Sequence, residues 1–222
     1  MKPPHPRDVN LPSKNRVEAL VDGIFSVAVT LLVLDIKLPE GLQFTSNEDM
    51  LRHFASVEFS FGIYVASFCV LAMFWIAHHF QFKFVLRLDG SLLWINLIFL
   101  LLITLVPFST NLIASHGTLQ VSVILYAANV VLLFLMLALH VRRLRRHPDL
   151  ATAEFTPAIG DAMGRRLRSF CVIPIVAMLV ALYSPTWGVR IFYLLAFLHF
   201  TPEWMDRLDR SFGRSAKHQD HD

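Results

Sequence analysis

Cysteine and charge are both scarce in this 222-residue chain. Its two cysteines, Cys69 and Cys171, each lie in an apolar run far from any pairing pattern, which argues against a disulfide scaffold or a cysteine-based metal site. Charged residues make up only 17% of the chain, whereas about a quarter is usual in soluble domains. We therefore do not expect a soluble domain.

Long apolar runs occupy most of the sequence, and 55% of its residues are hydrophobic. A helix of roughly 20 apolar residues crosses a hydrocarbon core of about 30 Å. Six stretches are long enough, or nearly so, and they cover residues 19–38, 58–80, 91–114, 119–141, 168–185 and 187–204. The pattern predicts an all-α polytopic membrane protein with six transmembrane helices, and no internal repeat is evident.

The six predicted helices form a single membrane domain over residues 1–222. An N-terminal segment (1–16) precedes helices 1–4 (17–141), a basic loop (142–167) leads to helices 5 and 6 (168–204), and a tail (205–222) follows. The first sixteen residues are polar and proline-rich, so we expect no signal peptide and a retained helix 1.

Basic residues predict the orientation of the chain. With the N-terminus inside, 17 of the 20 Lys and Arg residues fall in cytoplasmic segments, and only Lys37, Arg52 and Arg190 fall outside. This asymmetry follows the positive-inside rule, and six helices then place both termini in the cytoplasm. Orientation and contact with anionic lipid account for the net charge of +3, so no nucleic-acid partner is expected.

Polar residues recur at a common depth in the first three predicted helices. Asp22, Asn96 and the adjacent His78 and His79 each lie roughly 6–9 Å inside the cytoplasmic boundary, at about 1.5 Å per helical residue. Because buried polar groups in lipid require partners, the sequence predicts an interhelical network. Its predicted members are Arg16, Asp22, His78 or His79, Trp94 and Asn96.

Two interpretations of this network remain open. It could be structural glue alone, with Trp94 as an interfacial anchor, or it could fix the tilt of helix 1 so that one face of that helix lines a functional surface. Adjacent histidines point about 100° apart on a helix, which argues against a di-histidine metal site.

One face of helix 1 is small or apolar apart from a single hydroxyl. Gly23, Val27, Thr30, Leu31 and Leu34 fall within an arc of about 100°. Such a stripe could simply pack or face lipid. Around the axis of a symmetric oligomer it would instead form hydrophobic constrictions that gate by dewetting, with Leu32 on a separate, lipid-facing side.

Three segments carry a resemblance to a known family. Residues 16–36 read RVEALVDGIFSVAVTLLVLDI, residues 74–79 read FWIAHH, and residues 93–97 read LWINL ahead of Pro107 and Phe108. Together they resemble the bacterial branch of the transmembrane protein 175 family of potassium channels, whose hallmark is Arg-x-x-x-Phe-Ser-Asp before an apolar pore helix. The resemblance covers residues 14–115, and Leu20 and Val21 stand where the family has Phe and Ser.

The resemblance implies a six-helix subunit of a homotetramer in the bacterial inner membrane, with helix 1 lining a potassium-permeable pore. Carried over by position, it implies constriction residues Val27, Thr30, Leu31 and Leu34, and a bracing network of Arg16, Asp22, His78, Trp94 and Asn96. It implies no cofactor and no metal site, only the permeant potassium ion.

The residues also bear on two other function classes. An intramembrane enzyme would need an activated nucleophile, yet Ser26 lies a turn deeper than the histidines and lacks a Gly-x-Ser-x-Gly context, so no enzyme is expected. A proton- or ion-coupled transporter could use Asp22 and His78 as a titrating relay. This transporter is the alternative to a passive channel.

Overall fold

The computed structural model describes residues 11–34, 46–48, 50–51 and 58–198. Their regular structure is helical apart from one isolated bridge between Val85 and Ala151. The long helices are α1 (Lys14–Leu34), α2 (Glu58–Lys83), α3 (Gly90–His116), α4 (Gln120–Arg146), α5 (Pro157–Ala181) and α6 (Pro185–Leu198). A 3₁₀ turn, Pro148–Leu150, follows α4. The predicted all-α class is confirmed.

Four of these helices, α1 to α4, are long and apolar enough to cross a membrane. This agrees with the prediction that the chain is an integral membrane protein. The first half of α5 carries Asp161, Arg165, Arg166 and Arg168, and the described part of α6 has only 14 residues. Over their described residues, neither α5 nor α6 is both long and apolar enough to be counted as a membrane-spanning helix by length and composition.

Capping residues explain why two helices begin where they do. The Asp89 carboxylate accepts a hydrogen bond from Leu92 N at 2.8 Å at the start of α3. At the start of α5, the Thr156 hydroxyl faces Ile159 N at 3.4 Å, and Pro157 takes the first helical position. Both arrangements satisfy backbone groups that helix ends leave unpaired.

The bounds predicted for the C-terminal part of the chain need correction. Helix 5 was expected at 168–185 and helix 6 at 187–204, whereas α5 spans Pro157–Ala181 and α6 starts at Pro185. The basic loop 142–167 is also mostly helix, because α4 continues to Arg146. Hydropathy locates the edge of the apolar run, but a helix continues through basic residues, which its C-terminal dipole favours. The predicted positions 35–38 and 199–204 lie outside the described residues.

α1 packs against α2 and α3, α4 packs between α3 and α5, and α6 closes against α5 and α2. A chain of aromatic side chains runs through the interior from α1 to α4. Phe25 lies 6.0 Å from Phe99, Phe99 lies 6.3 Å from Phe74, and Phe74 lies 4.8 Å from Phe134, measured between ring centroids. Such tilted and edge-on contacts stabilise a core beyond the area that they bury.

Two connections are joined at one end of the bundle. Leu86 N donates to Leu150 O at 2.8 Å, and Thr152 N donates to Phe84 O at 2.9 Å. Arg87 pairs with Asp149 at 2.5 Å, and Arg143 pairs with Asp89. Connections 84–89 and 147–156 therefore lie on the same side of the bundle, and together with the start of α1 they form what we call the basic end.

The opposite end holds the turns after α3 and α5. There the Gln120 side-chain amide donates to Leu182 O at 2.6 Å. The turn after α5 is short, and Gly188 on α6 sits so close to α5 that an added Cβ would lie 2.8 Å from Ala181 Cβ and 2.9 Å from Ala177 O. Only glycine permits this approach, so α5 and α6 form a tight hairpin.

Candidate functional site

Helix α1 presents three faces about 110–130° apart, at about 100° per residue. Its buried face consists of Val17, Val21, Phe25, Ala28 and Leu32. This corrects the expectation that Leu32 faces lipid, because its side chain is fully buried in the core. The second face turns toward α2 and the third is exposed in the isolated subunit.

The exposed face carries the residues predicted to form the constriction. Val27 is 57% exposed, Leu31 44% and Leu34 64%, and Thr30 is exposed beside them. The Thr30 hydroxyl donates to Val27 O at 2.8 Å, so its proton is used within α1 while its oxygen can still accept a hydrogen bond or contact a cation. These four residues are exposed in the isolated subunit, as a surface between subunits or around an axis requires.

The face of α1 toward α2 lines a groove of about 370 Å³. Asp22, Ser26 and Thr30 supply polar groups to it from α1, and Trp75 closes it from α2. Asp22 points about 130° away from the centre of the exposed stripe, since it lies on the groove face. The carboxylate therefore braces α1 from the side and does not lie on the stripe.

Asp22 has Trp75 as its partner. Trp75 Nε1 donates to Asp22 Oδ1 at 2.9 Å, which ties α1 to α2 near the basic end. The exposed His79 ring stacks on the Trp75 indole with 5.8 Å between centroids. Sequence reasoning missed Trp75, although the residue stands three positions before His78 in the motif that carried the family resemblance.

His78 and Asn96 form a second, separate pair. His78 Nε2 and Asn96 Oδ1 lie 2.8 Å apart, and both side chains are buried. The His78 ring stacks between Phe82, at 4.3 Å, and Phe99, at 5.2 Å. This pair joins α2 to α3 as the common depth of the two residues predicts.

Within one subunit, the residues of the network predicted from sequence do not form a single connected network. Asp22 and the pair of His78 and Asn96 have separate partners. Arg16 is exposed, and Trp94 is 66% exposed. The Arg16 backbone N–H donates to Ser13 O at 3.0 Å, but neither the Arg16 nor the Trp94 side chain has a hydrogen bond or ion pair to another described residue. Depth in the membrane brings residues to one layer, but the rotation of each helix decides which of them meet, and Trp94 points away from the core.

Another buried polar pair extends the histidine layer to α4. His140 Nδ1 donates to Gln81 Oε1 at 2.9 Å, and the His140 and Phe82 rings stack 5.3 Å apart. Sequence reasoning missed both residues, although Gln81 lies one turn beyond His78 and His140 interrupts an apolar run. Asn96 Nδ2 and His140 Nε2 are buried without a hydrogen-bond partner among the described residues.

The described residues contain no group of three or more His, Cys, Asp or Glu side chains that could hold a metal ion. The two cysteines are free. Outside the helices, the Arg87 guanidinium lowers the pKa of the Asp149 carboxyl. The chemistry available at α1 is therefore that of apolar side chains, one hydroxyl and a braced carboxylate.

Comparison with known proteins connects these features to a family. A family model described as the endosomal/lysosomal potassium channel TMEM175 matches residues 16–107. A potassium channel of Chamaesiphon minutus is 34% identical over 142 residues, 63% of this chain and 66% of that protein. One of Streptomyces collinus is 38% identical over 102 residues, 46% of this chain and 48% of that protein.

An animal relative has a different name. The endosomal/lysosomal proton channel TMEM175 of Danio rerio is 24% identical over 193 residues, 86% of this chain and 36% of that protein. The matched part of the chain thus spans between 48% and 66% of the two bacterial relatives and about a third of this animal protein.

Solved structures share the fold. A lysosomal potassium-selective channel TMEM175 homolog from Chamaesiphon minutus superposes with a TM-score of 0.70 at 26% identity, over 83% of this chain and 95% of that one. The potassium channel MtTMEM175, in complex with a nanobody fusion, has a TM-score of 0.57 at 18% identity and shares the fold over 98% of this chain. These relatives are named as channels and none as an enzyme, in agreement with the prediction, and the chain belongs to the TMEM175 family.

Proposed function

We propose that this protein is a passive, potassium-permeable channel in the bacterial inner membrane, assembled as a homotetramer around α1. One observation supports the proposal: four side chains on one face of α1 are exposed in the isolated subunit, namely Val27, Thr30, Leu31 and Leu34. Two bacterial relatives are named as potassium channels, which supports potassium as the permeant ion. The activity needs no cofactor beyond the permeant ion.

The proposed pore has apolar constrictions. Four copies of Val27, Leu31 and Leu34 would form three rings, spaced by about one turn of α1. Hydrophobic rings close a pore when water leaves them, and they conduct when they widen enough to stay wet. Thr30 lies between two of these levels, where its oxygen could replace part of the hydration of a weakly hydrated cation.

The bracing contacts hold α1 at its angle in this proposal. Asp22 with Trp75 fixes α1 against α2, and His78 with Asn96 fixes α2 against α3. We also propose six spanning helices with both termini cytoplasmic, because 11 of the 12 described Lys and Arg residues lie on the side of the basic end.

Liposome flux of the purified protein tests the activity. With a potassium gradient and no pH gradient, we expect a passive current that reverses at the potassium equilibrium potential. A flux that requires a pH gradient would instead support the coupled transporter that uses Asp22 and His78. Those two residues each have a different partner in the structure, which favours the channel.

Proton permeation is a second candidate because an animal relative is named a proton channel. A pH-sensitive dye enclosed in the same liposomes separates the two ions. Acidification in symmetric potassium would assign proton conduction, whereas a potassium current without acidification supports the primary proposal.

A further inference from the structure

A cavity of about 320 Å³ lies between α2, α4 and α5, away from the exposed stripe of α1. Its walls are apolar along most of their length, with Met73 and Phe80 from α2, Phe134 from α4, and Met163 and Phe170 from α5. From Met73 to Gln81 it follows α2 for eight residues, or about 12 Å. An elongated apolar cavity of this kind fits a hydrocarbon chain.

Few polar groups reach this wall. The Gln81 carbonyl oxygen already accepts from His140 Nδ1 at 2.9 Å, so the buried polar group nearest the cavity is engaged by the protein. The remaining polar lining residue is Arg166, which is exposed, and its guanidinium carbon lies 5.8 Å from the centre of the Phe170 ring. The cavity is therefore apolar inside and cationic at its rim.

Arg166 supplies the one charged side chain among the residues that line the cavity. The neighbouring exposed stretch of α5 adds Arg165 and Arg168, which lie outside the cavity, and Asp161, which pairs with Arg145 at 2.9 Å. A guanidinium binds phosphate oxygens through two parallel hydrogen bonds, and basic residues near a membrane surface attract anionic lipid. Long arginine side chains can also reach from an apolar wall to the headgroup level.

We propose that this cavity binds an anionic phospholipid. One acyl chain lies along the wall of α2 and α5 between Met73 and Gln81, and the phosphate of the headgroup pairs with Arg166. The site is separate from the proposed ion path, so its occupancy can be measured whether or not the protein conducts potassium.

A photoactivatable phosphatidylglycerol, incorporated with the full-length protein into nanodiscs, tests the site, and phosphatidylcholine with the same acyl chains is the comparison lipid. We expect peptides from residues 73–81 and 159–170 to be labelled, several-fold more by phosphatidylglycerol. Equal labelling by the two lipids would overturn the assignment of an anionic headgroup.

Three variants sharpen the test. Ala162→Trp places a large ring at the cavity wall, where Ala162 is exposed, and should reduce labelling several-fold. Arg166→Gln should lower phosphatidylglycerol labelling to the phosphatidylcholine level. Arg165→Gln, the matched control, changes an exposed arginine outside the cavity and should alter labelling by less than two-fold.

Two outcomes would contradict the proposal. Unchanged labelling in a folded Ala162→Trp protein would show that lipid does not occupy the cavity. Absence of label from the cavity, together with a broken oligomer in Ala162→Trp, would show that a second subunit covers it. Since Arg166→Gln alters a surface side chain, it tests the headgroup contact even where Ala162→Trp fails to fold.

Discussion

Asp22 shows how one side chain positions a helix. Its Oδ1 atom accepts the indole proton of Trp75, and without that acceptor the donor on α2 loses its partner in the groove. Hydrogen bonds to charged groups contribute about 1.5–3 kcal/mol, and the exposure of both side chains places this bond toward the lower end. We expect the acceptor oxygen of Asp22, and not its charge, to be what positions α1.

We expect Asp22→Ala to lower the thermal unfolding temperature and weaken the oligomer in detergent, while Asp22→Asn, which keeps a carbonyl acceptor, retains most of both. Size-exclusion chromatography and thermal unfolding measure the two effects. Glu18→Ala is the matched control, because Glu18 makes only a 3.9 Å pair with Lys14 at the surface of α1. Equal losses in the alanine and asparagine variants of Asp22 would show that charge, and not the hydrogen bond, is what matters.

The His78 and Asn96 pair allows a test of coupling. Asn96→Leu should destabilise the protein by about 1–3 kcal/mol, because it leaves a buried ring nitrogen without its partner. Replacing both residues, as His78→Phe with Asn96→Leu, removes donor and acceptor together and should cost less than the sum of the single changes. Unfolding free energies of the four proteins of this cycle provide the measurement, and strictly additive losses would contradict a direct bond.

At the scale of elements, the proposed pore depends on α1, because the faces of this helix differ in their exposure. The stripe from Val27 to Leu34 is exposed in the subunit, whereas Leu32 is buried and Val33 is exposed on another side. Val33 therefore replaces Leu32 as the residue of choice for a control.

Serine at Leu31 or Leu34 should raise the leak through the proposed pore and reduce the preference for potassium over sodium, since a polar ring stays wet. Val33→Ser should leave both nearly unchanged, and Leu32→Ser should mainly reduce stability because it places a hydroxyl in the core. Flux assays with potassium and sodium in separate liposomes measure the effects. Equal behaviour of the Leu31, Leu34 and Val33 variants would show that α1 is scaffold.

The basic end contains two ion pairs of unequal burial. Arg143 and Asp89 are partly buried, with 29% and 18% of their side chains exposed, whereas Arg87 and Asp149 are 42% and 59% exposed. Exposed pairs contribute no more than about 1 kcal/mol. Asp89→Asn, which also weakens the cap of α3, should therefore destabilise the protein more than Asp149→Asn.

A pH dependence follows from the Arg87 contact. Because the folded state lowers the pKa of Asp149, this pair contributes its stability above the usual value of 3.8, and the contribution disappears as pH falls through the lowered pKa. Unfolding temperatures measured from pH 7 to pH 3 should show a small loss at the acid end that Asp149→Asn lacks. An identical acid profile for both proteins would place the acid sensitivity elsewhere.

At the scale of the whole molecule, the two ends of the bundle can be assigned to sides of the membrane. In a protein with Cys69 and Cys171 replaced by serine, Ala153→Cys at the basic end and Tyr183→Cys at the opposite end, where Tyr183 is 92% exposed, report on accessibility. We expect a membrane-impermeant thiol reagent applied outside intact cells to label the Tyr183 position only. Labelling of Asn47→Cys solely from the cytoplasm would contradict both the proposed orientation and the six-span count.

Much of this fold follows from hydropathy, and the exceptions have physical reasons. The first four helices are long and apolar, so their positions were predictable to a few residues. α5 was placed eleven residues late because its first half is basic and polar, although Thr156 and Pro157 form a start signal that hydropathy ignores. Pro185 begins α6 and does not end the preceding helix.

The site was predictable in depth but not in direction. His78 and Asn96 are hydrogen-bonded, as their shared depth suggests. Asp22 is hydrogen-bonded to Trp75 and not to Trp94, because the Trp94 side chain points away from the core. Rotation about a helix axis is decided by tertiary packing, and apolar residues cover every side of α2, so its sequence contains little rotational information.

The close contact of Gly188 with Ala177 and Ala181 has a consequence for how the protein enters a bilayer. α1 to α4 are each apolar enough to be inserted singly as they leave the ribosome, but α5 has a polar first half and the described part of α6 has only 14 residues. The three-residue turn and the close contact allow α5 and α6 to enter the bilayer together as one hairpin, because the backbone hydrogen bonds of each helix are made within that helix. If α5 and α6 span the membrane as proposed, we expect them to insert in a single concerted step, in which α6 promotes the insertion of α5.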